Sequence, residues 1–232
     1  GATLDSIAAA VEKAYNGSIT ADQFKTAASD ASKYAKEYTF LTDAGKNSIE
    51  GFLFPKTYEL IVNASAEDVV RQMLDQYRSE VTSLDFSYPR SKDMSNYDAL
   101  ILASIVEKET SVPEERARVA GVYANRLEKN MLLQADPTVI YGLGRTFDGP
   151  LLRSHLENAN NRYNTYQNPG LPPGPICSFG TSALKAAISP EKHDYLYFVA
   201  TGRDRGHNFS RTLSEHNRAV RDYRAALREA KK

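Results

Sequence analysis

The sequence predicts an α+β fold that is mostly helical with a small amount of β-sheet. Pairs of a hydroxyl residue and an acid three positions later begin segments with helical apolar spacing at Ser65, Ser95 and Thr212. Only residues 58–62 and 195–200 have the composition of strands. With 232 residues, the chain can hold one large domain or a compact domain with an appendage.

Residues 1–49 are predicted to form a helical N-terminal appendage of unknown role. Residues 4–15 and 21–38 are polar and Ala-rich, each with a thin apolar stripe that indicates a helix. From Asn47 the composition changes to Gly, Pro and aromatic residues. We therefore place a boundary here and assign residues 50–232 to the main domain.

The first half of the main domain is predicted to pack around one central helix. Ser65 begins a helix that runs to about Val81. Ser95 begins the next helix, whose run 100–106 is apolar on all sides, as expected at the centre of a domain. Pro113 has the first-turn chemistry of another helix, so the residues before it lie at a helix-to-helix corner.

The second half combines short helices with a long loop. Asp136 is predicted to cap a short helix that has Pro137 at its first position and ends at Gly142 or Gly144. Residues 158–180 are rich in Asn, Tyr, Gly and Pro, and a loop this long inside a compact domain is more often functional than idle. The remaining elements are a helix over 181–188, a strand over 195–200 and a terminal helix from Thr212.

Composition excludes several classes of function. The 29 Lys and Arg residues balance 29 Asp and Glu residues, which gives no electrostatic case for nucleic acid. The single Cys177 excludes an intrachain disulfide, and the four histidines lack metal-ligand spacing, so we predict no metal and no cofactor.

The longest apolar run, 99–106, is far shorter than the roughly 20 residues that cross a bilayer. Because the chain begins without Met or a signal-type run, we expect a fragment whose targeting segment lies upstream.

Two glutamates at the end of the central helix are the first candidates for chemistry. Burial raises a carboxyl pKa, which keeps a general acid protonated near neutral pH. Glu107 and Glu109 are about 200° apart around a helix, so they cannot both face one cleft, and we expect one to act and the other to be structural. From this segment alone the alternative stays open that both are solvated and pair with Lys108, Arg116 or Arg118.

Five blocks occur in order within residues 50–225 and carry a family resemblance. They are residues 103–110, 133–142, 163–166, 170–174 and 195–200. Together they resemble the signature blocks of the YceG-like (MltG) endolytic murein transglycosylases. The resemblance implies a lysozyme-like catalytic domain of a bacterial enzyme that cuts peptidoglycan between N-acetylmuramic acid and N-acetylglucosamine and leaves a 1,6-anhydro end.

The resemblance also implies a place and partners. Family members are anchored at the extracytoplasmic face of the cell membrane, so the anchor would lie outside this chain. Peptidoglycan glycan strands are the expected substrate, and peptidoglycan synthases are candidate partners. The chain departs from the family pattern in two respects, since a LysM-like module is not visible in residues 1–49 and the chain has no Trp.

The resemblance assigns the catalytic acid to the second glutamate of Glu-Lys-Glu-Thr, which is Glu109 here. One carboxyl suffices if it protonates the leaving oxygen and then accepts the proton of the muramic C6 hydroxyl as that oxygen attacks C1. Amides and a hydroxyl suit sugar polar groups, and tyrosine rings suit sugar faces. The candidate substrate-binding residues are Gln134, Tyr163, Asn164, Thr165 and Tyr166. For these side chains, hydrogen bonds within the loop and an aromatic core are the alternative.

Three other functions are alternatives to this one. A muramidase that hydrolyses the same bond needs a second carboxylate or a positioned water, and Asp136 is the attractive candidate. A glycan-binding module without turnover would use the aromatic loop alone. An aminodeoxychorismate lyase would need a pyridoxal phosphate lysine and a phosphate cup, which the sequence does not provide.

Overall fold

A computed structural model describes residues 1–144 and 146–230 and confirms the α+β class. The described residues form ten α-helices. They are α1 Leu4–Ala14, α2 Ala21–Ala27, α3 Ala66–Val81, α4 Ser87–Ser91, α5 Asn96–Glu109, α6 Arg116–Glu128, α7 Asp136–Leu143, α8 Arg153–Leu156, α9 Thr181–Ile188 and α10 Leu213–Glu229. Short 3-10 turns occupy Ala31–Lys33, Thr39–Ala44 and Pro113–Glu115. Strands β1 Tyr197–Ala200 and β2 His207–Ser210 form an antiparallel hairpin.

Helix α5 is the central element, as its all-round apolar run predicts. Ser95 and Asp98 form the predicted capping box at its start, with the Asp98 carboxylate accepting from the Ser95 amide at 2.9 Å. Every residue from Ala99 to Val106 is buried, and the helix packs against α6 and α9. Full burial of side chains such as Leu100 and Leu102 stabilises the fold by about 1.5–3 kcal/mol each. The end of α5 is therefore held in a fixed position.

Other local predictions are also confirmed. The capping boxes at Ser65 and Thr212 begin α3 and α10, and Thr20 begins α2 in the same way. Residues 158–180 form turns and loop without helix or strand, as expected. Gly144 ends α7, where its φ of 88° is a conformation that glycine adopts without steric cost.

Two predicted elements are wrong. Residues 58–62 form no strand, because they have no neighbouring strand to pair with and Leu60 and Val62 point to solvent at 57 and 86 % exposure. The helix predicted over 21–38 ends at Ala27, since the Asp30 carboxylate accepts from the Ser32 amide and starts a separate 3-10 turn. A side chain that offers the backbone a local partner competes with helix continuation.

The N-terminal residues share their core with the main domain. Phe24, Tyr38 and Ile49 belong to the same buried cluster as the side chains of α3 and α5. Tyr38 also donates to the Asp75 carboxylate at 3.1 Å. The division at residue 49 stays a prediction, and the packing across it is continuous. Within the described ranges, no helix combines the length and the hydropathy that a bilayer crossing requires.

Candidate active site

Glu109 is the last residue of α5 and lies against α6. Thr110 takes an extended conformation with φ −135° and ψ 131°, which ends the helix and turns the chain toward Pro113. The return of the chain in α6 brings the buried Tyr123 under the carboxyl, and the phenol donates to Glu109 Oε1 at 2.7 Å. The predicted helix-to-helix corner thus places the acid over a buried hydrogen-bond donor.

The environment of Glu109 holds its proton near neutral pH. Burial is the largest cause and raises the pKa of the carboxyl, and the nearby negative charge of Asp136 adds to the rise. The hydrogen bond from Tyr123 and the positive charge of Arg126 act in the opposite direction, and the resulting pKa is about 7. A carboxyl with this pKa can both donate and accept a proton at physiological pH.

The Glu107 side chain lies outside the cleft that Glu109 lines. Its carboxylate lies 3.6 Å from the Arg116 guanidinium, in an ion pair with little solvent exposure. The predicted separation of the two glutamates around the helix is what the structure shows. Glu109 lies in the cleft beside Tyr123, without an ion-pair partner within salt-bridge distance among the described residues, whereas Glu107 is held in an ion pair.

The Glu109 cleft is a cavity of about 430 Å³. Its walls come from α5, α6, the connection between α6 and α7, α7, the loop over residues 158–180, β1 and α10. The lining residues are Glu109, Tyr123, Arg126, Leu133, Gln134, Asp136, Tyr166, Tyr197, Phe198, Leu213, His216 and Asn217. Aromatic faces, amides and charged groups therefore surround the Glu109 carboxyl.

Gln134 is one of the predicted substrate-binding residues that lie in the cleft. Its backbone has a φ of 52°, an uncommon conformation for a residue with a side chain. Its backbone N–H donates to the Thr165 carbonyl at 3.0 Å. The Arg126 guanidinium holds the same turn by donating to the Leu133 carbonyl at 2.8 Å and to Gln134 Oε1 at 3.4 Å. These contacts fix the turn, and the exposed Gln134 side-chain carboxamide lines the cleft.

The prediction that Asp136 caps a short helix is wrong. Asp136 is the first residue of α7, Ala135 is the N-cap, and no side chain caps this helix. The Asp136 carboxylate instead lines the cleft, where it accepts from the Tyr166 hydroxyl at 2.6 Å. The helix starts one residue earlier than predicted, so the Asp136 side chain is not at the N-cap position from which it could accept from the first-turn amides. The backbone amide of the N-cap residue Ala135 donates instead to Thr165 Oγ1 at 3.0 Å, a tertiary contact. The cleft therefore contains a second carboxylate and the predicted aromatic residue Tyr166.

Three predicted substrate-binding residues lie outside the cleft. Asn164 is fully buried, and its amide donates to the carbonyls of His155, Leu156 and Asn158 at 2.9–3.2 Å. Thr165 is buried and bonds to Thr138 Oγ1 at 2.9 Å. Tyr163 packs on the ring of Tyr141 with centroids 4.8 Å apart. These contacts tie the loop to α7 and α8, and the Asn164 carboxamide oxygen also accepts from the Tyr166 backbone amide at 3.0 Å.

Sequence reasoning did not single out Arg126, Tyr197 or His216. Arg126 is only 8 % exposed, and its guanidinium donates to the Leu196 carbonyl at 2.6 Å, which fixes the start of the hairpin beside the cleft. The signal in the sequence was a lone arginine on the inner face of α6. Among the described residues, no group of three or more His, Cys, Asp or Glu side chains is placed to hold a metal ion.

Glu50 is a second buried carboxyl that the sequence did not reveal. It is 3 % exposed, accepts from the Leu4 amide at 2.8 Å and accepts from the Tyr141 hydroxyl at 3.1 Å. Burial raises its pKa to about 7. These bonds join the first turn of α1 to α7, so Glu50 connects the N-terminal helix to the helix that carries Asp136.

Fold and site together define a mainly helical α+β protein with a cleft suited to general acid–base chemistry. The chain belongs to the YceG-like family, whose model matches residues 1–222. A YceG-like protein of known crystal structure from Listeria monocytogenes superposes with a TM-score of 0.81 at 36 % identity, over 93 % of this chain and 72 % of that one.

Relatives of the chain from Bacillus subtilis and Streptococcus pneumoniae carry the name endolytic murein transglycosylase. The protein from Bacillus subtilis (strain 168) is 40 % identical over 185 residues, which is 79 % of this chain and 50 % of the relative. The protein from Streptococcus pneumoniae (strain ATCC BAA-255 / R6) is 32 % identical over 96 % of this chain and 43 % of the relative. The chain thus spans about half the length of the curated relatives it matches.

Proposed function

We propose that this chain is the catalytic part of an endolytic lytic transglycosylase that cleaves peptidoglycan glycan strands between N-acetylmuramic acid and N-acetylglucosamine. The observation that carries the proposal is Glu109, a carboxyl whose pKa is raised to about 7 in a cleft with amide and aromatic side chains. Family membership and the names of the relatives support the substrate class. Because that substrate lies outside the membrane, we place the protein on the extracytoplasmic side.

The proposed mechanism uses one carboxyl twice. Protonated Glu109 donates to the oxygen of the leaving N-acetylglucosamine as its bond to muramic C1 breaks. The muramic C6 hydroxyl then attacks C1, and the Glu109 carboxylate accepts the hydroxyl proton, which restores the acid and forms the 1,6-anhydro ring. Tyr123 keeps the carboxyl oriented by its 2.7 Å hydrogen bond. Gln134 and Tyr166 are the proposed sugar ligands.

A muramidase is the second candidate, and the position of Asp136 favours it. A carboxylate that lines the same cleft can orient a water or support positive charge at C1. The Tyr166 hydroxyl holds this carboxylate at 2.6 Å. The two reactions break the same bond and differ in the nucleophile, so the product decides between them.

Cleavage in heavy-oxygen water separates the two reactions. If the muramic C6 hydroxyl attacks, the new muramic end carries no solvent oxygen and the product is lighter than the hydrolytic one by one water. Mass spectrometry of digested, uncrosslinked glycan strands measures both properties. Heavy oxygen at muramic C1 would show that water attacks this carbon, and the muramidase would then replace the transglycosylase as the assigned function.

The pH dependence of cleavage is expected to shift in opposite directions in two variants. Activity needs protonated Glu109, so it falls as pH rises through the Glu109 pKa. Tyr123→Phe removes a hydrogen bond that favours the carboxylate, so the pKa rises and the fall moves to higher pH. Asp136→Asn removes a negative neighbour, so the pKa drops and the fall moves to lower pH.

Profiles of kcat/KM against pH on glycan strands test this pair of shifts. Asparagine at position 136 still offers an oxygen to the Tyr166 hydroxyl, so the comparison isolates the charge. Shifts of the same sign in both variants would exclude Glu109 as the titrating acid.

A further inference from the structure

One wall of the Glu109 cleft has no task in the proton transfers. Helix α10 contributes Leu213, His216 and Asn217 to this wall, and β1 contributes Tyr197 beside them. The proposed mechanism uses Glu109 of α5 and Tyr123 of α6, with Gln134 and Tyr166 from loops as sugar ligands. The α10 side chains therefore line the cleft without a role in the proposed reaction.

His216 carries an unsatisfied polar atom in this wall. Its imidazole stacks on the Tyr197 ring, with centroids 5.2 Å apart and planes 24° from parallel. The Nδ1 atom is buried and has no hydrogen-bond partner among the described residues. An unpaired buried polar atom costs about 1–3 kcal/mol, so such atoms persist mainly where water or a ligand completes them.

The surroundings keep the imidazole neutral. Burial is the larger cause that lowers the pKa of His216, and the positive charge of Arg126 adds to the drop. Arg126 lies 5.2 Å over the centroid of the same Tyr197 ring, and its bond to the Leu196 carbonyl fixes it there. A neutral imidazole offers one donor and one acceptor, which suits an uncharged polar ligand.

The neighbours of His216 extend this chemistry. Leu213 is 56 % exposed, although its side chain is large and apolar. Asn217 is exposed and presents an amide to the same cavity. An apolar contact beside an amide and a ring nitrogen matches the methyl, N–H and C=O groups of an acetamido substituent.

We propose that His216, with Leu213 and Asn217, forms a saccharide subsite that binds the acetamido group of an N-acetylhexosamine in the Glu109 cleft. The proposal rests on the proposed function for the class of ligand. His216 acts here as a binding residue, which places a sugar relative to Glu109 and transfers no proton.

Binding of chitotetraose, a tetramer of N-acetylglucosamine, to the Glu109→Gln protein tests the subsite without turnover. His216→Phe keeps a ring on Tyr197 but removes the nitrogen, and we expect it to weaken the affinity about tenfold by calorimetry. His216→Asn places a polar atom near the position of Nδ1 and should recover part of that loss. Cellotetraose lacks the acetamido group, so it should bind more weakly and respond little to either substitution.

The outcomes separate this subsite from the proposed function. Equal affinity for chitotetraose with and without His216→Phe, or no binding by the parent protein, would overturn the subsite even if glycan strands are cleaved. If binding depends on His216 but the unsubstituted protein with Glu109 cleaves no glycan, the subsite is supported and the proposed function is overturned. If His216→Phe fails to fold, Asn217→Ala serves instead, because Asn217 is exposed and its loss should lower the affinity several-fold.

Discussion

Glu109→Gln is expected to lower the rate of glycan cleavage by about 10²–10⁴-fold while the fold stays intact. The amide has the shape of the carboxyl and can still accept from the Tyr123 hydroxyl, but it cannot deliver or take up the proton. Rates on purified, uncrosslinked glycan strands measure the loss. The melting temperature at pH 8 should not fall, because the variant removes a carboxylate that burial disfavours above its pKa of about 7.

Glu107→Gln is the matched control on the same helix. Glu107 pairs with Arg116 outside the Glu109 cleft, so its amide variant should keep most of the activity. An inactive Glu107→Gln beside an active Glu109→Gln would show that the roles of the two carboxylates are reversed.

Asn164→Ala is expected to destabilise the protein by about 3 kcal/mol, because it removes the buried carboxamide that donates part-buried hydrogen bonds to the carbonyls of His155, Leu156 and Asn158. The Asn164 carboxamide oxygen also accepts from the Tyr166 amide at 3.0 Å, so the loop that presents Tyr166 should loosen. For a domain of this size the melting temperature should drop by about 6–12 °C. Thermal unfolding followed by circular dichroism measures the change.

Asn160→Ala is the control in the same loop. Asn160 is exposed, and a surface substitution there should change stability by no more than about 0.5 kcal/mol. An Asn164→Ala protein with an unchanged melting temperature and no cleavage would instead make Asn164 a direct sugar ligand, as the sequence predicted.

Helix starts were predictable because their determinants are local. The capping boxes at Ser65, Ser95 and Thr212 each join residues three positions apart, and all three begin helices in the structure. The burial of residues 99–106 followed from their apolar run, which only Ser104 interrupts. The separation of Glu107 from Glu109 followed from helix geometry alone.

The roles of the loop residues were not predictable in the same way. Tyr163, Asn164, Thr165 and Tyr166 have similar capacity for sugar contacts, and their order in the chain does not tell which side chain faces the cleft. Contacts with Thr138 of α7 and with residues 155–158 turn Asn164 and Thr165 inward, and Tyr166 lies beside Asp136.

The sequence by itself determined the helical α+β class, the central helix and the position of two glutamates at its end. These features depend on residue patterns within a few positions of each other, where side-chain chemistry and helix periodicity are sufficient. Only the tertiary structure decided that Asp136 faces the cleft and that Arg126 holds the hairpin beside Glu109. Both depend on hydrogen bonds between residues 30 and 70 positions apart, which no local pattern encodes.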